Sequence, residues 1–338
     1  MNYQYNLKFE ELCNTLQLGK LIKPPEAITG GHLHRMFAVE TNSGKYAIKT
    51  LNPQIMARPT ALNNYIKSER IVNIVSKHVP AQPANIYNGS FLQNIDNQYY
   101  MIFDWIEGST LKFEHLNEAN CKMMGSLLAE IHKTDFSMNE QSNELPLEVQ
   151  LIDWNFYLNK GVEMHSIWVP LISDNIEKLF LWNQKAKNAS QILSSEIVLS
   201  HRDLEPKNVM WKQNKPIIID WESAGEINPK HDLIETAVYW SLNELGELDK
   251  DKFHAFVYGY LESCSFEVTD WKIVLELGFL SKLEWLEYSL KRSLLIECID
   301  QSEQEMGTSH VISTIKALND YEEIVSVLET WLENINKI

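Results

Sequence analysis

The sequence predicts an α+β protein with two lobes, a small antiparallel-sheet N-lobe at 1–104 and a larger, mainly helical C-lobe at 105–338. Three observations support this fold class. The first hundred residues consist mainly of short apolar segments separated by turn signals, and from about Asn117 apolar residues recur at helical spacing. The composition changes near Phe103 to Gly108, and a length of 338 residues suits about two domains.

The N-lobe pattern begins with a hairpin. The segment "MFAVETNSGKYAIKTL" places two apolar runs around the turn residues "TNSG". The helical spacing of "TALNNYIKSERIVNIVSKH" predicts one helix, and "ANIYNGSFL" and "QYYMIFDWIEG" have the composition of two further strands. The expected order is therefore strand, strand, helix, strand, strand, which predicts a small antiparallel sheet carrying one helix.

The C-lobe pattern is mainly helical. The segment "NEANCKMMGSLLAEIHK" puts its apolar residues on one helix face, and the chain from His231 onward is almost wholly helical by pattern. Between these helices we expect a loop-rich, aromatic stretch at 135–188. The short apolar runs "EIVLS" and "KPIIID" predict two buried strands, which flank the polar segment "HRDLEPKN".

Charge and composition exclude several classes of function. A formal net charge of −16 argues against binding to nucleic acid or to anionic membranes. No secretory leader and no run of about 18 apolar residues is present, so we expect no membrane association.

Four scattered cysteines without a C-x-x-C pair predict neither a zinc site nor a disulfide framework, and they favour the cytoplasm. Nothing in the sequence indicates an obligate protein partner.

Six polar residues stand at spacings typical of one catalytic site. His201, Asp203 and Asn208 form H-x-D-x-x-x-x-N, and Asp220 follows twelve residues after Asn208 at the end of an apolar run. Far upstream, Lys49 closes the strand "YAIK", and Glu69 lies inside the helix that follows.

Phosphoryl transfer from a nucleoside triphosphate needs these residue types. Its transition state is loose, so catalysis depends on positioning and on neutralising charge. Asp203 would orient the acceptor hydroxyl and take its proton. Asn208 and Asp220 would supply the hard oxygen ligands that Mg²⁺ prefers. Lys49 would hold the phosphates and would itself be fixed by Glu69.

These motifs resemble the eukaryotic-like kinase fold, in the segments "YAIK", "HRDLEPKN" and "IIID". The sequence is most similar to the aminoglycoside phosphotransferase and choline kinase family, the small-molecule kinases of that fold. Asp220 is followed by "WES" rather than Phe-Gly, and no A-P-E follows. Only eleven residues separate Asp220 from Asp232, which leaves no room for the activation loop of a protein kinase. One departure is Arg202, where this branch often has Gly or Asn.

The resemblance implies further site residues. Glu222 matches the second acid of the "D-x-E" found in choline kinases and is a candidate third metal-side carboxylate. Gly30 and Gly31 belong to the expected nucleotide loop. The segment Phe103, Asp104 and Trp105 corresponds to the hinge whose backbone binds adenine.

The histidines are not predicted to take part in the chemistry. His201 is interpreted as structural, since its ring can hold the loop through hydrogen bonds. His32 and His34 are interpreted as ordinary loop residues.

The sequence therefore predicts an ATP- and Mg²⁺-dependent phosphotransferase acting on a hydroxyl group of a small, cationic molecule of the aminoglycoside type. GTP remains open as the nucleotide, and a choline, ethanolamine or other small-metabolite kinase is the alternative. A catalytically silent nucleotide-binding protein is disfavoured because Lys49, Asp203, Asn208 and Asp220 are all present. The acceptor is not fixed by the fold. Aromatic and acidic residues of the C-terminal helices are candidates for binding it.

Overall fold

The computed structural model describes residues 4–28, 33–136, 149–266 and 270–335. These residues form two compact units. The first contains the described parts of 1–136 together with 199–226 and 236–260, and the second contains the described parts of 137–198, 227–235 and 261–338. Every predicted site residue that the structure describes lies in the first unit. The division into lobes at residues 104 and 105 is a different partition of the chain and stays a prediction.

The N-terminal part of the first unit is an antiparallel sheet with helices. Its elements are α1 (Phe9–Thr15), β1 (Glu26–Ile28), β2 (Arg35–Thr41), β3 (Gly44–Thr50), α2 (Pro53–Met56), α3 (Ala61–Val75), β4 (Leu92–Ile95) and β5 (Gln98–Asp104). The strand order is β1-β2-β3-β5-β4, and each neighbouring pair is antiparallel. The predicted hairpin is β2 and β3, joined at Thr41↔Gly44.

The two faces of this sheet have different roles. Ile48 of β3 is fully buried in a core with Leu12 of α1 and Tyr100 of β5. Because successive side chains of a strand point to opposite faces, the adjacent Lys49 projects to the other face. That face packs against α3 through a second core, which includes Tyr65 and Met101. Burial of one apolar face thus fixes where the buried lysine points.

The rest of the chain is mainly helical. Its elements are β6 (Ser109–Thr110), α4 (Glu118–Lys133), α5 (Trp154–Glu163), α6 (Val169–Leu193), β7 (Val198–Ser200), β8 (Val209–Lys212), β9 (Lys215–Ile218), β10 (Gly225–Ile227), α7 (Pro229–Ser241), α8 (Lys250–Leu261), α9 (Trp271–Leu277), α10 (Phe279–Ser293) and α11 (Gln301–Ile335). Strands β6, β8 and β9 form a three-stranded antiparallel sheet, and β7 pairs with β10.

The second unit is a helical assembly with a dense aromatic core. Trp182 of α6 stacks on Phe279 of α10 with ring centroids 5.4 Å apart. The buried Trp168 donates from Nε1 to Ser293 Oγ at 2.9 Å, so the polar atom of this large side chain is satisfied. Within the described residues, no helix combines the length and apolar character that a membrane span requires.

Two of the element predictions were wrong. Within the stretch 135–188, expected to be loop-rich, the described residues from 149 onward contain α5 and most of α6, and residues 137–148 lie outside the described residues. Trp154, Trp168 and Trp182 are buried there, whereas Phe156 and Phe180 are exposed. Pro170 at the second residue of α6 is tolerated because the first helical amides need no intrahelical partner. The strand expected over 84–92 begins only at Leu92, after a turn containing Asn88 and Gly89, both at positive φ.

Candidate active site

The segment "HRDLEPKN" forms a tight loop between β7 and β8, with a short 3₁₀ turn at Pro206–Asn208. His201 is completely buried and organises this loop. Its Nε2 donates to the Ile219 carbonyl oxygen at 2.9 Å, and its Nδ1 accepts from Asp203 N at 3.2 Å. The ring therefore ties the loop to the chain that follows β9.

Asp203 and Asn208 are held together directly. The Asn208 amide donates from Nδ2 to the Asp203 carbonyl oxygen at 2.8 Å and to Asp203 Oδ2 at 2.9 Å. Both donor hydrogens are thus directed at Asp203, which leaves the Oδ1 oxygen of Asn208 to act as an acceptor for a cation. The buried Trp240 supports the same loop by donating from Nε1 to the Leu204 carbonyl oxygen at 2.7 Å.

Asp203 has the electrostatic environment of a base. Burial raises the pKa of its carboxyl to about 8, Lys207 opposes the rise, and Glu205 adds to it. Lys207 Nζ lies 3.7 Å from Asp203 Oδ1 and 3.0 Å from Glu205 Oε1. A carboxylate with a raised pKa accepts a proton more readily, and general bases are most effective with pKa values near the working pH.

The β8–β9 hairpin brings Asp220 beside the loop. Ile219 N donates to the Asn208 carbonyl oxygen at 2.9 Å, one residue before Asp220. Asp220 itself has φ 62° and ψ 59°, the left-handed conformation that few non-glycine residues adopt. Such strain costs about 1–3 kcal/mol and is concentrated at functional sites, because the surrounding structure must enforce it.

Lys49 lies between two carboxylates. Its ammonium donates to Asp220 Oδ1 and to Glu222 Oε2, the latter at 2.8 Å. Burial alone would lower the pKa of Lys49, but the two carboxylates outweigh it and raise this pKa. Burial would likewise raise the pKa of Asp220, but the Lys49 ammonium holds it below its ordinary value. Lys49, Asp220 and Glu222 are thus brought together as one charged cluster.

Glu69 lies on α3, in the helix that follows Lys49, and accepts a hydrogen bond from the backbone. The structure pairs Lys49 with Asp220 and Glu222, whereas Glu69 Oε2 accepts from Ala84 N at 3.0 Å. Burial raises the pKa of Glu69 to about 7, and the Ala84 amide and Lys49 both act against the rise. Lys49 is therefore close enough to influence Glu69 electrostatically, and their pairing on bound phosphates stays a prediction.

The expected hinge is the end of β5. Asp104 accepts from Gln82 Nε2 at its carbonyl oxygen (2.7 Å) and from Asn85 Nδ2 at Oδ1 (2.8 Å). Phe103 pairs with Ala47 in the sheet, and the Lys45 ammonium lies 3.7 Å from the centroid of the Trp105 ring. The role of these three residues in binding adenine stays a prediction. Gly30 and Gly31 lie outside the described residues.

Three residues that line the candidate site were missed by the sequence analysis. His34 and Tyr65 are buried beside Glu222, and Lys207 lies beside Asp203. Tyr65 could have been found, since it stands four residues before Glu69 on the same face of α3. His34 had been interpreted as an ordinary loop residue, because its contacts come from segments distant in the chain.

The donor set fits a magnesium ion that also binds phosphates. Among the described residues, no group of three or more His, Cys, Asp or Glu is arranged to hold a metal by itself. Mg²⁺ in nucleotide sites usually takes one or two carboxylates and completes its shell with phosphates and water. The Asp220 carboxylate and the Asn208 amide oxygen are such a partial set.

A sheet-borne lysine, a loop aspartate with its asparagine, and an aspartate after a strand define the class of phosphotransferases with a kinase-like fold. The chain belongs to the phosphotransferase enzyme family, whose sequence pattern matches residues 25–265. This membership confirms the predicted family and enzyme class. A search of the curated proteins finds no match.

Solved structures show the same fold at low sequence identity. A spectinomycin phosphotransferase in complex with ADP and spectinomycin is 14% identical, with a TM-score of 0.65 over 94% of this chain and 99% of that one. An ethanolamine kinase from Plasmodium vivax is 17% identical, with a TM-score of 0.59 over 87% and 83%. An amicoumacin kinase in complex with AMP-PNP, Ca²⁺ and Ami is 12% identical, with a TM-score of 0.59 over 93% and 94%. This likeness confirms the predicted kinase-like fold.

The backbone at Arg202 generates a prediction about stability. Arg202 has φ 64°, which explains why related enzymes often have Gly or Asn there. Arg202→Asn should raise the free energy of unfolding by several tenths of a kcal/mol, and Arg202→Val should lower it by about 1 kcal/mol, because β-branched residues are disfavoured at positive φ. Thermal melting curves measure both changes. Equal melting temperatures for the three proteins would contradict this conformational account.

Burial of Glu69 generates a prediction about pH. The folded-state pKa of about 7 lies above the ordinary value of 4.5, so the folded protein binds more protons between these values and loses stability as the pH rises through that window. Glu69→Gln keeps an acceptor for Ala84 N but removes the buried charge. Its melting temperature relative to wild type should therefore be higher at pH 8 than at pH 5.

Glu10→Gln, at an exposed position on α1, serves as the control, and its effect should be the same at both pH values. If the difference in melting temperature between Glu69→Gln and wild type does not change with pH, then burial does not raise the pKa of Glu69.

Proposed function

We propose that the protein transfers the γ-phosphoryl group of ATP, with Mg²⁺, to a hydroxyl group of a small, cationic molecule. The observation that carries this proposal is the convergence of Asp203, Asn208, Asp220 and Lys49, from segments up to 171 residues apart, within one unit of the fold. A base, neutral and anionic oxygen ligands and a phosphate-binding cation are the parts that this reaction needs.

Asp203 is the proposed base. The acceptor hydroxyl gives its proton to the Asp203 carboxylate while its oxygen forms a bond to the γ-phosphorus, and the bond from that phosphorus to the bridging oxygen breaks to release ADP. Asn208 holds the carboxylate in place through two hydrogen bonds from one amide group. This fixed geometry supports the assignment, since positioning is the main contribution a protein makes to such a loose transition state.

Asn208, Asp220 and Glu222 are the proposed magnesium-side residues. A bound Mg²⁺ would neutralise charge on the phosphates and hold them in line for transfer. Asp220 keeps its charge because Lys49 lowers the pKa of its carboxyl, so it presents an anionic oxygen at neutral pH. Glu222 contacts the same ammonium, which places a second carboxylate at the cluster.

Lys49 is the proposed ligand of the ATP phosphates. Its ammonium is buried and held by two acids, so it has a fixed direction before the nucleotide arrives. Glu69 is the proposed second anion that holds Lys49 when the phosphates occupy its other contacts. The hinge at 103–105 and the glycines at 30 and 31 complete the proposed nucleotide site. The complexes of related folds with ADP and with AMP-PNP and Ca²⁺ support ATP and a divalent ion as the cofactors.

The acceptor is proposed to be an aminoglycoside-like or other cationic hydroxylated compound. The net charge of −16 favours a cation, and a spectinomycin phosphotransferase with a similar fold, solved in complex with spectinomycin, supports a small-molecule acceptor.

An amino-alcohol kinase is the second candidate. The contact of Glu222 with Lys49 at 2.8 Å favours it, because the "D-x-E" pair is the feature that this sequence shares with choline kinases. The Plasmodium vivax ethanolamine kinase with a similar fold also supports an amino-alcohol acceptor.

We further propose that the protein acts in the cytoplasm, which the buried thiols of Cys13 and Cys121 support.

A panel of acceptors tests the function. Aminoglycosides, choline, ethanolamine, amino-acid alcohols and neutral sugars are offered with Mg²⁺ and either ATP or GTP, and nucleoside diphosphate release and phosphorylated product are both measured. A cationic hydroxyl compound should be phosphorylated. Asp203→Asn should slow the transfer by about 10²- to 10⁴-fold, because this change removes the base.

Asp174→Asn, at an exposed acid on α6, is the matched control and should keep the wild-type rate. Transfer only to neutral sugars would contradict the proposed acceptor class. Unchanged transfer by Asp203→Asn would contradict the assigned base.

A further inference from the structure

His34, a buried residue just before β2, has contacts on both ring nitrogens. Nδ1 accepts from Asn52 N at 2.9 Å. Nε2 forms a short hydrogen bond with Tyr65 Oη and lies 3.5 Å from Glu222 Oε2. The ring thus connects the backbone at the start of α2 with the carboxylate that holds Lys49.

The contacts fix the position of the proton on this ring. Because Asn52 N–H is a donor, Nδ1 must carry a lone pair, and the neutral imidazole has its proton on Nε2. Nε2–H is therefore a neutral donor on the side of Tyr65 and Glu222.

Tyr65 extends the same arrangement. It is buried on α3, and since its Oη accepts from His34 Nε2–H, its own hydroxyl hydrogen is available as a donor. His34 Nε2 and the Lys49 ammonium thus both lie beside Glu222 Oε2, at 3.5 Å and 2.8 Å, and Tyr65 is hydrogen-bonded to the same ring nitrogen of His34.

We propose that His34 and Tyr65 are positioning residues that orient the Glu222 carboxylate for the magnesium–nucleotide complex. This inference rests on the proposed function, which assigns Glu222 to the metal side of the site. The ring nitrogens of His34 are both engaged with other groups, so it acts through Glu222 rather than as a ligand. Groups that orient metal-side carboxylates change metal affinity by about 10- to 100-fold when they are removed.

A purely structural role for His34 makes a different prediction. Asn52 caps α2 by accepting from Gln54 N at 2.9 Å, and its own backbone N–H needs the acceptor that His34 Nδ1 provides. The structural role therefore uses Nδ1, whereas the positioning role uses Nε2–H. Amide side chains separate the two, because Asn places its oxygen near the position of Nδ1 and Gln places its nitrogen near the position of Nε2.

The experiment compares wild type, His34→Gln, His34→Asn and Tyr65→Phe by calorimetry with ADP, with and without Mg²⁺. His34→Asn and Tyr65→Phe should weaken the binding of magnesium–ADP by about 10-fold or more while leaving metal-free ADP binding within about twofold. His34→Gln should restore most of the affinity. With the accepted substrate, His34→Asn and Tyr65→Phe should raise KM for magnesium–ATP more than they lower kcat.

Wild-type affinity in His34→Asn together with a loss in His34→Gln would overturn the inference in favour of the backbone contact. Wild-type affinity in all three variants would also overturn it. A wild-type protein that binds ADP equally well with and without Mg²⁺ would instead contradict the proposed function.

The geometric part is tested without nucleotide. In a spectrum of ¹⁵N-labelled histidine, His34 should show a protonated Nε2 and an unprotonated Nδ1 at pH 7, and Glu222→Gln should shift the Nε2 signal. A protonated Nδ1, or a signal that Glu222→Gln leaves unchanged, would overturn the inference whether or not the protein binds nucleotide.

Discussion

The site depends on one buried ammonium group. Lys49 is buried on the central strand β3, and a charge in that position is tolerated only because Asp220 and Glu222 reach it from a distant part of the chain. The contact with Lys49 also keeps the Asp220 carboxyl ionised, because it lowers the pKa of that group. One ion-pair cluster therefore joins the sheet to the segment that follows β9, and it sets the direction of the lysine and of both acids.

Much of this site could be predicted from the sequence, because its parts obey local rules. A lysine at the end of a β-hairpin, the loop "HRDLEPKN" and an aspartate after three isoleucines each have a spacing that few other structures require. The hairpin of β2 and β3, the helix α3 and the helical C-terminal part follow from periodicity in the same way. Asp203, Asn208, Asp220 and Lys49 accordingly lie in one compact unit. Their individual roles remain proposals that the variants described above address.

The features that the sequence did not predict depend on contacts between distant segments, which local sequence patterns do not indicate. The described part of the aromatic stretch at 135–188 contains α5 and most of α6, and its Trp residues are buried by tertiary packing, which the sequence pattern does not show. The ion pair between Lys49 and Glu222 joins residues 173 positions apart, so no local pattern indicates it. The role of His34 depends on its contacts with Asn52, Tyr65 and Glu222, which come from three separate segments of the chain.

The central claim is that Asp220 belongs to a metal site that forms with the nucleotide. Electron paramagnetic resonance with Mn²⁺ as the probe tests it directly, by measuring bound Mn²⁺ with and without a non-hydrolysable ATP analogue. The wild-type protein should bind Mn²⁺ only when the analogue is present. Asp220→Asn should lose that binding, and Asp174→Asn should keep it. Nucleotide-dependent Mn²⁺ binding that survives in Asp220→Asn would contradict the account.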